Sequence, residues 1–165
     1  MTSNRRRSFE IGHRPKFLVI ADESAECARA IHFAARRASR IGAGITMLAI
    51  AEPAEFQHWM GVGAVMKAEA EDKARTLLDR HAKIGRAIAG IEPEMVVRTG
   101  NKAEEIRALI ETDPDISFLV LGAATGADGP GPLVSLLAGK TSGSFPVPVV
   151  IVPGGLTDAE IDALA

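Results

Sequence analysis

The chain has one cysteine, no tyrosine and one tryptophan in 165 residues, and neither sign of charge dominates: 19 Lys and Arg stand against 21 Asp and Glu. Each shortage removes a class of function. A lone cysteine, Cys27, excludes an intramolecular disulfide and a cysteine-rich metal site, and nothing calls for an oxidising compartment. The four histidines, His13, His32, His58 and His81, have no metal-ligand spacing. A net charge of −2 gives no global field for nucleic acid or an anionic membrane, so neither is expected as a partner. No apolar run approaches the roughly 18 residues of a membrane span. The first 14 residues carry Arg5, Arg6, Arg7 and Arg14 but no apolar core of a secretory signal, and a cytoplasmic home is the expectation.

What is present fits one domain with one real core, since 47% of the residues are hydrophobic. Residues 1–14 read as a disordered basic arm. Arg5-Arg6-Arg7-Ser8 could serve as a phosphorylation or anion-binding motif, but such charge runs are usually only solvated. Residues 15–153 form the folded domain, and 154–165 a tail with a short capped helix.

Short, largely apolar runs, as in strands buried on both faces of a parallel sheet, occur at Phe17–Ala21, Ile45–Ile50, Ile116–Leu121 and Val147–Val152, and Pro93 opens a further strand at Glu94–Arg98. Helical patterns separate them. The first has Ala28, Ile31, Ala35, Ala38 and Ile41 on one face, N-cap chemistry at Asp22-Glu23-Ser24 and a stop at Gly42 and Gly44. Residues 52–63, with Pro53, His58 and Trp59, read as irregular. A long helix follows from about Val65 to Ile88, with Met66, Ala70, Leu77, His81 and Ile84 near one face. Asn101, with Glu104 three residues on, caps a third helix. Strands alternating with helices imply a parallel, doubly wound sheet with right-handed crossovers. If its order is 3-2-1-4-5, the winding reverses between strands one and four, and ligands bind outside the carboxyl ends at that reversal.

Those ends carry Asp22 and a glycine-rich loop, Gly122 to Pro132. Asp22 can accept hydrogen bonds from a ribose or an adenine amine, or simply cap the helix. The glycines suit a phosphate cradle, where backbone N–H groups must come close, or an ordinary surface loop. Gly139-Lys140-Thr141 is not a phosphate-loop motif, because Val134 stands where that motif needs glycine and the preceding residues look helical. A receiver domain would need a phosphoacceptor Asp after strand three, but Arg98-Thr99-Gly100 stands there. A flavin site would need aromatic stacking groups that the chain scarcely has.

Leu18-Val19-Ile20-Ala21-Asp22-Glu23-Ser24, Thr99-Gly100-Asn101, Leu119-Val120-Leu121-Gly122 and Val147 to Pro153 together resemble the universal stress protein (UspA-like) family over about Lys16 to Pro153. The resemblance implies a five-stranded parallel sheet of order 3-2-1-4-5 with helices on both faces, of the adenine nucleotide alpha hydrolase-like type. It also implies homodimers paired through the last strand, Val147 to Val152, and often bound ATP. In ATP-binding members an Asp after strand one contacts the nucleoside, and a Gly-x2-Gly-x9-Gly-Ser/Thr stretch wraps the phosphates. Here Gly126-x2-Gly129-x9-Gly139 keeps the spacing, but Lys140 replaces the hydroxyl residue and Thr141 comes one position late. A second register starts the last helix at Gly131-Pro132, with Pro at its first position, and leaves a smaller site for AMP or none. Both registers stay open.

The expectation is therefore a nucleotide-binding stress or regulatory protein, holding ATP or AMP (Mg with ATP) and not acting as an enzyme, although slow ATP hydrolysis is not excluded. Asp22 and Ser24 would meet the nucleoside, the backbone at Ala49 and Ile50 the base edge, and Gly122, Gly126, Gly129, Gly139, Lys140 and Thr141 the phosphates. Ser135 would supply the hydroxyl in the other register. The alternative is a dimeric interaction module of the same fold without nucleotide.

Overall fold

The computed structural model describes residues 5–52 and 63–165. Five parallel strands form one sheet in the order β3-β2-β1-β4-β5. They are β1 (Lys16–Ile20), β2 (Gly44–Ala51), β3 (Glu94–Thr99), β4 (Ile116–Ala123) and β5 (Val149–Pro153). Between and after them run α1 (Cys27–Ile41), α2 (Gly63–Ala89), α3 (Lys102–Thr112), α4 (Pro132–Leu137) and α5 (Asp158–Leu164). The irregular segment expected around Pro53, His58 and Trp59 lies outside the described residues.

The pleat sends alternate residues of each central strand to opposite faces. Phe17, Val19, Ile45, Met47 and Val120 pack with Ala30, Ala34 and Ala38 of α1, Leu78 and Ala82 of α2, and Ile161 of α5. Leu18, Ile20, Leu48, Leu119 and Leu121 pack with Ile106, Leu109 and Ile110 of α3 and Val134 and Leu137 of α4. Both faces are covered, which is why the strands read as unbroken apolar runs rather than alternating ones. Phe17 and Phe118, neighbours across β1 and β4, stack with ring centroids 4.1 Å apart.

Helix ends follow local chemistry, with two departures. Gly42 ends α1 in the left-handed region (φ 72°), and Asn101 Oδ1 accepts from the Glu104 backbone N–H to open α3. Asp22 does not cap α1. The helix begins at Cys27 after Glu26, while Asp22 Oδ1 accepts from the backbone N–H and hydroxyl of Ser24. The carboxylate thus closes a turn ahead of the helix. The buried stripe of α1 also differs from the expected one, taking in Cys27, Ala30 and Ala34 while Ile41 is exposed. The reason is that α1 is covered by the sheet and by both α2 and α5.

The segment read as a disordered arm is docked from Arg6 onward at the amino end of the sheet. Arg6 Nη1 donates to the carbonyl oxygens of Ile110 (2.6 Å) and Asp113 (2.9 Å), at the carboxyl end of α3. Ser8 is buried, its hydroxyl donating to the Asp115 carbonyl, and His13 lies 2.7 Å from Asp115 Oδ1. Composition suggested a solvated tail; the free carbonyls of a helix end gave it a place to bind.

Candidate functional site

The carboxyl ends of β1, β2 and β4 open onto two adjoining recesses. The larger, about 450 Å³, lies between β1, β2 and α2. Among the described residues its walls are Ile20, Ala21, Ala49, Ile50 and Ala51 from the strands and Ala70, Ala74 and Leu77 from α2. Its rim is charged, with Asp22, Glu23 and Glu52 facing Lys73 and Lys102. That volume falls within the range of small-ligand sites, and an apolar wall with a few polar groups is their usual chemistry. The smaller recess, about 50 Å³, lies between β1, β4 and the start of α4 and is walled by Ser24, Glu26, Cys27, Gly122, Gly131 and Pro132 among others. Ile20, Asp22 and Lys102 line both.

Asp22 is held at this junction by its own turn and from behind by α2. His81 Nε2 donates to the Asp22 carbonyl oxygen at 2.9 Å, and its Nδ1 is buried without a partner among the described residues. A carbonyl only accepts, so Nε2 carries the proton. Asp22 Oδ2 has no hydrogen bond among the described residues, which leaves one carboxylate oxygen for a ligand hydroxyl or amine. Lys102 is the first residue of α3, with Nζ 3.5 Å from Glu52 Oε1 in a half-exposed pair. Such a pair is weak, and the ammonium can turn to an anion in either recess. Cys27 is no nucleophile here: burial pushes its thiol up to about 12, and its Sγ–H donates to the Ile20 carbonyl.

The expected residues divide sharply. Asp22, Ser24 and Gly122 converge on the small recess, and Asp22, Ala49 and Ile50 on the large one. Gly126, Gly129, Gly139, Lys140, Thr141 and Ser135 line neither. Gly126 and Gly129 form a turn of their own, with the Gly129 N–H donating to the Gly126 carbonyl. The x9 stretch contains α4, which begins at Pro132 after Gly131 (φ 104°). Pro at the first helical position stabilises that start, so the second of the two registers is the one adopted. Gly139 then sits against the carbonyl of Ser135, and the Thr141 hydroxyl donates to the Leu136 carbonyl beyond the end of the helix.

Gly122 serves contact within the fold. A Cβ there would collide with the carbonyl of Glu26, and one on Gly154 would lie 3.2 Å from Glu26 Cβ. These glycines let the start of α1 close on β4 and β5. Sequence reasoning missed Lys102 and Glu26. Lys102 follows the Asn101 cap directly, at the carboxyl end of β3, and could have been found from that position. Glu26 has no local signal, because only the close approach of α1 to β4 brings it to the site.

A family model described as "Universal stress protein family" matches residues 13–153. No curated protein sequence matches the chain. Among solved structures it is similar to the universal stress protein UspA from Lactobacillus plantarum, at 18% identity and TM-score 0.68, covering 84% of this chain and 97% of that one. It is also similar to a universal stress protein family member from Burkholderia pseudomallei, at 15% identity and TM-score 0.63, covering 84% and 95%. A third is a universal stress protein in complex with cAMP, at 16% identity and TM-score 0.58, covering 86% and 98%.

Proposed function

The chain belongs to the universal stress protein family, and we propose that it is an adenine-nucleotide receptor in a stress or regulatory response, working as a homodimer. The observation that carries the reading is the convergence, at the switch point of the sheet, of an apolar recess of about 450 Å³ with Asp22 and Lys102 at its edge. The adenine would lie against Ile20, Ile50, Ala74 and Leu77, with the backbone of Ala49–Ala51 at its hydrogen-bonding edge. Asp22 would accept from the ribose hydroxyls, and Lys102 would meet the first phosphate as a point charge. The structural relative in complex with cAMP supports a ligand with one phosphate. In this reading the protein binds its nucleotide and does not turn it over.

Calorimetry with AMP tests it. Asp22→Asn keeps an oxygen to accept from the Ser24 N–H but removes the charge, so it separates ligand binding from the local turn. Wild type is expected to bind AMP, and Asp22→Asn to weaken it at least tenfold, the worth of one charge-assisted hydrogen bond. No binding of AMP or adenosine at millimolar concentration would sink the reading. It would favour the dimeric module without nucleotide, whose structural basis is the exposed apolar residue Ile151 on the edge strand β5.

A further inference from the structure

Glu26 stands where the small recess meets the loop after β4. Its backbone and Cβ lie against Gly122 and Gly154, and its Oε1 lies 3.9 Å from the position a Cβ on Gly131 would take. Its carboxylate makes no hydrogen bond or ion pair among the described residues, although Lys102 lines the same recess. The charged groups lining the two recesses are Asp22, Glu23, Glu26 and Glu52 against Lys73 and Lys102, an acidic surplus of two among the described residues.

We propose that Glu26 limits the charge of the ligand, so that the site accepts adenosine or its monophosphate and rejects nucleotides with further phosphates. This rests on the adenine-nucleotide reading above. A nucleotide with its sugar at Asp22 and its first phosphate at Lys102 has reached the boundary between the recesses. Its next phosphates would enter a space of about 50 Å³ already bordered by the Glu26 carboxylate. Room and charge act in the same direction. One phosphate can be met by Lys102, with Lys73 across the rim; each further one adds negative charge beside Glu26, and no additional cation lines the recesses among the described residues. A like charge within several ångströms in a partly desolvated site costs at least a factor of ten in affinity. Glu26, at the cap of α1, is therefore a specificity-determining residue, and the glycines that admit it are part of the same device.

The test is calorimetry without divalent cations, using adenosine, AMP and ATP on wild type and on Glu26→Gln, which keeps shape and removes charge. Wild type is expected to bind AMP at least tenfold more tightly than ATP, and Glu26→Gln to raise the ATP-to-AMP affinity ratio at least fivefold. Equal affinity of wild type for AMP and ATP overturns the inference without any variant and leaves the adenine-nucleotide reading standing. An unchanged ratio in a Glu26→Gln protein with a wild-type melting transition does the same. If that variant does not fold, Glu26→Asp, which draws the carboxylate back by one methylene, must raise the ratio, and a fixed ratio there also overturns the inference. Failure of all three ligands to bind wild type overturns both.

Discussion

A methyl group added to Gly122 would have to share space with the carbonyl of Glu26, which itself accepts from the N–H groups of Arg29 and Ala30 and cannot easily turn away. Gly122→Ala is therefore expected to lower stability by about 1–3 kcal/mol, the usual cost of overpacking a close backbone contact; urea denaturation measures it, and an unchanged midpoint would mean that α1 yields. Thr46 presents the opposite case. It is fully buried in β2, and its Oγ1 has no partner among the described residues. Thr46→Val replaces a buried hydroxyl with a methyl of the same shape and is expected to raise stability by about 1 kcal/mol. A lower thermal midpoint would show that the hydroxyl is satisfied after all. At this scale the sequence revealed what depends on neighbours along the chain: Asp22 ends an apolar run, and Asn101 precedes a helix. It hid Glu26 and His81, whose roles come from elements packed across the fold.

The elements at the two ends of the chain carry polar and charged clasps, added in α5 to the burial of Ile161. α5 lies along α1 with Asp162 Oδ1 2.8 Å from His32 Nε2 and 2.9 Å from Arg36 Nε, while Asp158 meets Arg29 and His32. The Arg29 guanidinium holds the Asp158 carboxyl below its usual range, and His32 with Arg36 does the same for Asp162. Because the folded values are depressed, this contribution is complete above the ordinary carboxylate value near about 4 and is lost as pH falls through the folded values. Protection of the α5 amides against hydrogen exchange, corrected for intrinsic rates, is expected to drop as pH falls below about 4, ahead of the strands. Equal loss in α5 and β1 would show that the ion pairs do not control docking. The short capped helix expected in the tail is present, and the structure supplies its cap as a full capping box between Thr157 and Glu160. The x9 glycine spacing was not decisive, because a count of residues carries no information about whether a helix occupies the gap; Pro132 did carry it.

Across the whole molecule, the parallel sheet and its layering follow from alternation of strand and helix, and the strand order was legible only through the family resemblance; the shape of the recess was not legible, because it depends on where α2 and α4 come to rest. The sheet ends at β5, where Ile151 is 39% exposed and Val150 packs inward on the core. In the proposed homodimer Ile151 is the side chain that meets the second copy. Ile151→Lys is expected to shift sedimentation from dimer to monomer with little change in melting temperature, whereas a wild-type monomer at tens of micromolar protein would rule the dimer out. The clasp formed by Arg6, Ser8 and His13 has a consequence in time. Its partners, from Ile110 to Asp115, lie about a hundred residues downstream, as does β4, the second neighbour of the central strand β1. At roughly 5–20 residues per second of synthesis, the start of the chain waits about 5–20 s on the ribosome before anything exists for it to grip. During that interval β1 has only β2 beside it. A protease or chaperone acting on the nascent chain therefore meets the Arg6 to His13 segment before its clasp can form.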